Sequence, residues 1–306
     1  MAQSQVITKP ATATLEAMPE LKGVLEVRKP PRGHWVGDGF PVRTIFAYDN
    51  ATATTPFILM DYAGPYRFPA ASNRRGVGEH PHRGFETVTI LYSGEVEHRD
   101  SGGGGGKIGP GDVQWMTAGS GVVHEEMHSW EYTKSGGMFE AIQLWVNLPA
   151  RLKMTQPRYQ TLLSSDIPEM ALPGNAGHVR VIAGAFGGGD GPAKTFTPMN
   201  LWDVRLNAGG GATLNAPAGH NAAVFVLSGK VTVNGAQAHD AELVALDRKG
   251  EAVRIDAETD AKLLFLSGEP IDEPVFGYGP FVMNNEAEIR QAITDYQSGR
   301  MGHLSS

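Results

Sequence analysis

Two short stretches of the chain place metal-binding side chains at alternate positions. The first, "EHPHRGFE", carries His80 and His82, and the second, "GVVHEEMH", carries His124 and Glu126. Successive side chains of an extended strand point to opposite faces, so residues two apart face the same way, with α carbons roughly 7 Å apart. We therefore expect each pair to converge on one point.

The two pairs together predict a metal centre. If their strands are neighbours in one barrel, three imidazoles and one carboxylate share an interior, and this donor set suits iron, manganese, nickel, copper or zinc. The chain has no cysteine, so imidazole and oxygen are the donors available. A single histidine is more often structural than ligating, but two alternate pairs beside glycine-rich turns favour the metal. We expect the unpaired histidines to be structural or to support the ligands: His34, His98 and His128.

Glu86 is ambiguous on sequence alone. It lies four residues after His82, and an even spacing places it on the same face of a continuous strand. Three roles are open: a fifth ligand, an acceptor that orients a histidine, or an ion-pair partner of Arg83 or Arg99.

The rest of the chain indicates an all-β protein. Short β-branched and apolar runs recur between turn residues, and the 39 glycines and 20 prolines support many tight turns. Two runs are alike, "VTILYSGEV" from Val88 and "AVFVLSGKV" from Ala223, and they lie 135 residues apart. This spacing, about one domain, predicts a duplicated β-barrel.

We expect five segments along the chain. They are a loosely ordered extension (1–22), a metal-binding barrel (23–150), a connecting segment (151–174), a barrel without metal (175–280), and a C-terminal helix and tail (281–306). In the last segment "NNEAEIRQAITDYQSG" has the capping signature of a helix, with Asn285 followed three residues later by Glu288.

Composition excludes several classes of function. The net charge is −7 and no long Lys/Arg cluster occurs, so direct binding to nucleic acid or to an anionic membrane is not expected. The first residues lack the pattern of a secretory signal, and no apolar run reaches membrane-spanning length. We expect a cytoplasmic protein.

Longer motifs carry a family resemblance. The stretches "HPHRGFETVTILYSGEVEHRDS", "GPGDVQWMTAGSGVVHEEM" and "EPVFGYGPFVMNNEAEIRQAI" strongly resemble the pirin family of the cupin superfamily. The resemblance implies a bicupin, two cupin barrels stacked face to face, with one iron-type metal in the N-terminal barrel. It also implies four ligands and leaves Glu86 outside the set: His80, His82, His124 and Glu126.

The second half departs from the ligand pattern. A shift of 135 residues sets Asn215 and Pro217 opposite the two histidines of the HPH motif, so we expect no metal in the C-terminal barrel. His220 lies near this region alone, and we expect it to be a hydrogen-bonded structural residue.

The resemblance implies a dioxygenase of the quercetin 2,3-dioxygenase type. Fe(II) is the metal favoured, with open positions for a flavonoid-like or other small aromatic substrate and for dioxygen. Glu126 is the expected catalytic residue, because a carboxylate that leaves the metal can take the proton of a substrate hydroxyl. Two alternatives stay open: a non-enzymatic, redox-sensitive regulator that binds an unknown protein partner, and a zinc cupin isomerase whose sugar pocket is lined by tryptophans. The tryptophans in question are Trp115, Trp130 and Trp145.

Overall fold

The computed structural model describes residues 19–304, so most of the expected N-terminal extension, residues 1–18, lies outside the described residues. The strands of the first half are β1 (Val24–Arg28), β2 (His34–Val36), β3 (Phe40–Phe46), β4 (Phe57–Phe68), β5 (Gly76–His82), β6 (Phe85–Ser93), β7 (Val96–Asp100), β8 (Gly105–Ile108), β9 (Val113–Thr117), β10 (Val122–His128), β11 (Gly137–Asn147) and β12 (Arg158–Leu162).

The strands of the second half are β13 (Glu169–Ala171), β14 (Gly177–Ala183), β15 (Ala185–Phe186), β16 (Gly189–Asp190), β17 (Met199–Leu206), β18 (Gly211–Asn215), β19 (Asn221–Ser228), β20 (Lys230–Val233), β21 (Ala236–His239), β22 (Leu243–Leu246), β23 (Ala252–Ala257), β24 (Ala261–Gly268), β25 (Phe276–Tyr278) and β26 (Phe281–Met283). The helices are α1 (Trp130–Ser135) and α2 (Glu286–Gln297), with 3₁₀ turns at Ala150–Leu152, Ser164–Asp166 and Pro173–Asn175.

The two halves repeat one topology, which confirms the all-β, two-barrel prediction. In the first barrel a seven-stranded sheet has the order β12-β9-β6-β11-β4-β3-β2 and a four-stranded sheet has the order β5-β10-β7-β8. In the second barrel the orders are β1-β22-β19-β24-β17-β14-β13 and β18-β23-β20-β21. The two similar sequence runs, in β6 and β19, therefore occupy the same position in their sheets.

The two seven-stranded sheets pack against each other. Val88 and Trp115 from the first sheet belong to the same buried cluster as Phe225 and Leu264 from the second. This packing explains why β6 and β19 read as almost continuous apolar runs: one face of each strand fills its own barrel and the other face covers the neighbouring barrel.

The domain boundaries differ from a simple division of the chain. We expected residues 23–150 to form the first barrel, but Val24–Arg28 pairs with β22 and forms the edge of the second barrel's sheet. Conversely, Arg158–Leu162, from the expected connecting segment, pairs with β9 and completes the first barrel. Each seven-stranded sheet thus takes one edge strand from across the expected boundary. The added strand pairs with backbone groups of β22 or β9 that would otherwise lie at an open edge.

Helix α2 forms where its capping signature predicts. The Asn285 side chain accepts a hydrogen bond from the Glu288 amide, and the Glu288 carboxylate accepts one from the Asn284 amide. A buried ion pair joins the helix to the first barrel: Arg83 Nη1 lies 2.8 Å from Asp295 Oδ2. The residue that follows the HPH motif is therefore tied to the C-terminal end of the chain.

Within residues 19–304, no helix has both the length and the apolar character needed to cross a membrane.

Candidate metal centre

Three imidazoles meet inside the first barrel, on the strand pair β5–β10. His124 pairs directly with His80, and His82 pairs with Val122. The ring centroid of His80 lies 4.3 Å from that of His124 and 4.8 Å from that of His82. One nitrogen from each ring lies within 4.8 Å of the others, which is close enough for one ion to bind all three.

The three rings have the protonation state that a metal requires. Burial lowers the pKa of all three histidines, and the neighbouring imidazoles lower those of His82 and His124 further. Each ring is therefore neutral at neutral pH, and a neutral imidazole offers a lone pair to a metal.

Hydrogen bonds orient two of these rings. His80 Nδ1 is 2.8 Å from the Gly78 carbonyl and His82 Nδ1 is 3.3 Å from the Pro280 carbonyl, so the Nε2 atom of each remains for a ligand. In His124, which is buried, neither nitrogen has a hydrogen-bond partner among residues 19–304. A buried His124 nitrogen without a partner, beside the Nε2 atoms of His80 and His82, fits a transition metal bound by three histidines.

Glu126 lines the same cavity as His80 and His82 but stands outside the cluster of three imidazoles. Thr89 Oγ1 lies 2.6 Å from Gln143 Oε1 and 3.3 Å from Glu126 Oε1. A hydroxyl has one proton to donate, so the shorter contact to Gln143 takes it and the contact of Thr89 with Glu126 is weak. Burial raises the pKa of Glu126 to about 7, against hydrogen bonding to Thr89 and Gln143.

A cavity of about 200 Å³ opens beside the histidines. Its polar lining comes from His80, His82, Thr89, Glu126, Gln143 and Asp61. Its apolar walls are formed mainly by Val36, Phe40, Val42, Ala63, Ala141 and Trp145. Trp145 stacks on Phe85 and meets the His82 ring edge-on, so aromatic packing supports the histidine cluster from the side. The cavity therefore suits a small, mostly apolar ligand with a few polar groups.

Glu86 does not share the face of His82, and one of the three roles left open for it, an ion pair with Arg83 or Arg99, is not the one that the structure shows. Gly84, with φ +91°, separates β5 from β6 and breaks the alternation on which the even spacing relied. The Glu86 carboxylate accepts a hydrogen bond from Thr117 and lies 4.0 Å from Arg158, rather than pairing with Arg83 or Arg99. Burial raises the pKa of Glu86 to about 7.

The other histidines lie outside the cluster. His98 is buried with its edge against Tyr159, and burial lowers its pKa to about 3. His128 packs among aromatic rings and its Nε2 lies 3.0 Å from the Gly39 carbonyl, whereas His34 is exposed. In the second barrel, His220 Nδ1 lies 3.4 Å from Ser267 Oγ.

The three tryptophans have different environments. Trp115 is fully buried between the barrels, Trp130 is 46% exposed, and Trp145 lines the cavity. They do not form one pocket.

Sequence reasoning missed Asp61, Thr89, Gln143 and Pro280, which all line the cavity. A weak signal exists for two of them: Asp61 interrupts the apolar run "FILMDYAG" and Gln143 interrupts "AIQLWVN". A polar residue at the centre of a buried strand needs a partner, and here the partners lie inside the barrel. Pro280 carries no such signal, because only the folded chain brings it to His82.

Comparison with known proteins agrees with this architecture. The model of the pirin family matches residues 39–146, and the model of the pirin C-terminal cupin domain matches residues 201–302. The chain belongs to the pirin family, and it has the two cupin domains of that family.

Individual relatives cover nearly the whole chain. A Pseudomonas aeruginosa protein named "Putative quercetin 2,3-dioxygenase" is 55% identical over 281 residues, which are 92% of this chain and 98% of that protein. A pirin-like protein of Caulobacter vibrioides is 41% identical over 90% of this chain and 99% of its own. The crystal structure of a quercetin 2,3-dioxygenase from Acinetobacter baumannii superposes with a TM-score of 0.90 at 50% identity, covering 93% of this chain and all of that one.

Proposed function

We propose that this protein is a metal-dependent dioxygenase that acts on a flavonol-like substrate, with Fe(II) as the favoured metal. The observation that carries the proposal is the cluster of three neutral imidazoles beside an apolar cavity that also contains a carboxylate. The similarity to proteins named as quercetin 2,3-dioxygenases supports the choice of reaction.

The metal would be held by His80, His82 and His124, with Glu126 as the fourth ligand. When bound, a redox-active ion supplies the activation of dioxygen, the oxidant of the reaction. Glu126 lines the same cavity as His80 and His82, and its contact with Thr89 is long, at 3.3 Å.

The cavity residues would bind and prepare the substrate. The apolar walls exclude water and contact the faces of a planar ring system, and Trp145 offers an aromatic surface next to His82. The Glu126 carboxylate would accept the proton of a substrate hydroxyl placed near the histidines. Gln143 would position this carboxylate through its hydrogen bond, and Thr89 would orient Gln143 by donating to its side-chain oxygen.

The test is reconstitution under controlled oxygen. The purified protein is loaded with Fe(II) anaerobically, quercetin is added, and loss of its absorbance is followed after oxygen is admitted. We expect loss in the wild type and none in His82→Ala, with His178→Ala, which changes a histidine on the second barrel, as the matched control. A wild-type rate of quercetin loss no faster than that of His82→Ala would contradict the proposal. Parallel loading with Mn, Ni, Cu or Zn tests the choice of metal.

A further inference from the structure

A row of polar side chains crosses the inner wall of the first barrel. Asp61 on β4 pairs with Gln143 on β11, and Gln143 pairs with Thr89 on β6. Directly paired residues of antiparallel strands project to the same face, and neighbouring strands lie about 4.8 Å apart. The row therefore runs about 10 Å, from Thr89 beside Glu126 to Asp61 at the other end.

Asp61 has an unused hydrogen-bonding atom. Asp61 is half-buried, and the hydrogen bond that Thr44 donates to its Oδ1 over 2.5 Å leaves Oδ2 for a ligand. Burial raises the pKa of Asp61, although the Thr44 hydrogen bond and the nearby His34 oppose the rise. The hydrogen bond from Thr44 uses only one oxygen of Asp61. It does not explain why a carboxyl group, with a second oxygen, lines a mostly apolar cavity.

The polar groups of the cavity thus extend along one wall. The histidines and Glu126 lie at one end of the row and Asp61 lies at the other, with Gln143 between them, and apolar side chains form the remaining walls. A carboxyl group in apolar surroundings gains from a ligand hydroxyl and is left without a partner when the ligand lacks one. Such a site discriminates strongly between a hydroxylated molecule and its deoxy analogue.

We propose that Asp61 is a second substrate anchor, which hydrogen-bonds a phenolic hydroxyl on the end of the substrate remote from the histidine cluster. The site then selects planar polyphenols that carry hydroxyl groups at both ends. The inference rests on the proposed function, which places the first end of the substrate beside the histidines. It adds a substrate class and a residue that recognises this class.

The test compares two flavonols under conditions that prevent turnover. Binding to the Fe(II)-loaded protein is measured by calorimetry without oxygen, using quercetin and 3-hydroxyflavone, which keeps the hydroxyl beside the carbonyl on the central ring and lacks those on both outer rings. We expect the wild type to bind quercetin about tenfold more tightly or better. In Asp61→Leu this preference should be lost through weaker quercetin binding, while the affinity for 3-hydroxyflavone stays the same or increases.

Two further variants separate anchoring from a structural role. Asp61→Asn keeps an acceptor for Thr44 and has nearly the same shape as the wild-type side chain, so it serves as the test variant if Asp61→Leu does not fold. It should weaken the binding of quercetin and leave the binding of 3-hydroxyflavone unchanged. Thr44→Val removes the internal partner of Asp61 but leaves the carboxyl group, so it should keep the preference. Equal weakening of both flavonols by the Asp61 variants, or loss of the preference in Thr44→Val, would overturn the proposal.

The outcome is independent of catalysis. If the preference depends on Asp61 but quercetin survives the admission of oxygen, the anchor stands and the dioxygenase proposal fails. If quercetin is consumed and the Asp61 variants bind both flavonols as the wild type does, the dioxygenase proposal stands and the anchor fails.

Discussion

His80 and His124 occupy directly paired positions on antiparallel strands, and their ring centroids lie 4.3 Å apart. At this distance two charged imidazoles would repel each other strongly, and burial removes the water that could screen them. The barrel therefore holds its histidines as neutral neighbours. Such an arrangement is stabilised by a cation that binds their lone pairs.

Removal of one imidazole should abolish tight metal binding. In His124→Ala the cluster loses the ring whose two nitrogens have no hydrogen-bond partner within the described chain. We expect the variant to retain about a tenth or less of the metal bound by the wild type after gel filtration, as measured by mass spectrometry of the metal. His178→Ala is the control, and equal metal in His124→Ala and the wild type would refute a three-histidine site.

The buried ion pair between Arg83 and Asp295 should contribute measurably to stability. Its side chains are 5% and 11% exposed, and Arg83→Met would leave a partly buried carboxylate with only its contacts to Gln291 and Arg300. We expect a loss of about 3 kcal/mol in the free energy of unfolding, measured by urea denaturation.

The matched control for this ion pair lies on the same helix. Arg290 pairs with Glu286 at 2.5 Å, but both side chains are 65% exposed. Arg290→Met should therefore cost about 0.5 kcal/mol or less. Similar losses in the two variants would show that the buried pair has no special role in fixing the C-terminal helix.

Stability should depend on pH through Glu86. Its pKa is raised from about 4.5 to about 7 in the folded protein, so the folded state holds its proton more tightly than the unfolded state does. The resulting stabilisation is fully present below pH 4.5 and is lost as the pH rises through about 7. Glu86→Gln should remove this loss, which is at most about 3 kcal/mol, and should leave the parallel contribution of Glu126, whose pKa is also raised to about 7.

The measurement is a series of urea titrations between about pH 5 and pH 8.5, with the pH range chosen to span the shifted pKa. The exposed residue Glu286, changed to glutamine, serves as the control and should leave the pH profile unchanged. A pH dependence of the unfolding free energy that is as steep in Glu86→Gln as in the wild type would show that Glu86 does not contribute to it.

The turn after the HPH motif should accept no side chain. Gly84 has φ +91°, and a β carbon added there would lie 2.0 Å from the Val282 carbonyl oxygen. Gly209 has φ +76° with open space around it, so Gly209→Ala tests conformational strain alone and should cost about 1–2 kcal/mol. Gly84→Ala should cost more and should also lower metal affinity. Equal unfolding free energies for the two variants would show that the contact with Val282 relaxes without cost.

The sequence by itself determined the architecture and the histidine cluster. Alternation on short strands needs only local backbone geometry, so His80 and His82 could be placed on one face, as could His124 and Glu126. The repeat at 135 residues likewise revealed two barrels, since the duplicated runs fill the same position in each sheet. The motifs carried the family assignment. Glu126 as a metal ligand stays a prediction, because its carboxylate stands outside the cluster of imidazoles.

Only the tertiary structure decided which strands and side chains from distant parts of the chain meet. Strand partners are chosen by long-range pairing, so the exchange of β1 and β12 across the domain boundary left no local trace. Glu86 was misplaced because Gly84 interrupts the alternation, and Pro280 reaches His82 from 198 residues away. Asp61 became visible as an anchor only when three strands were in register, because a strand's sequence does not show which residues lie opposite it.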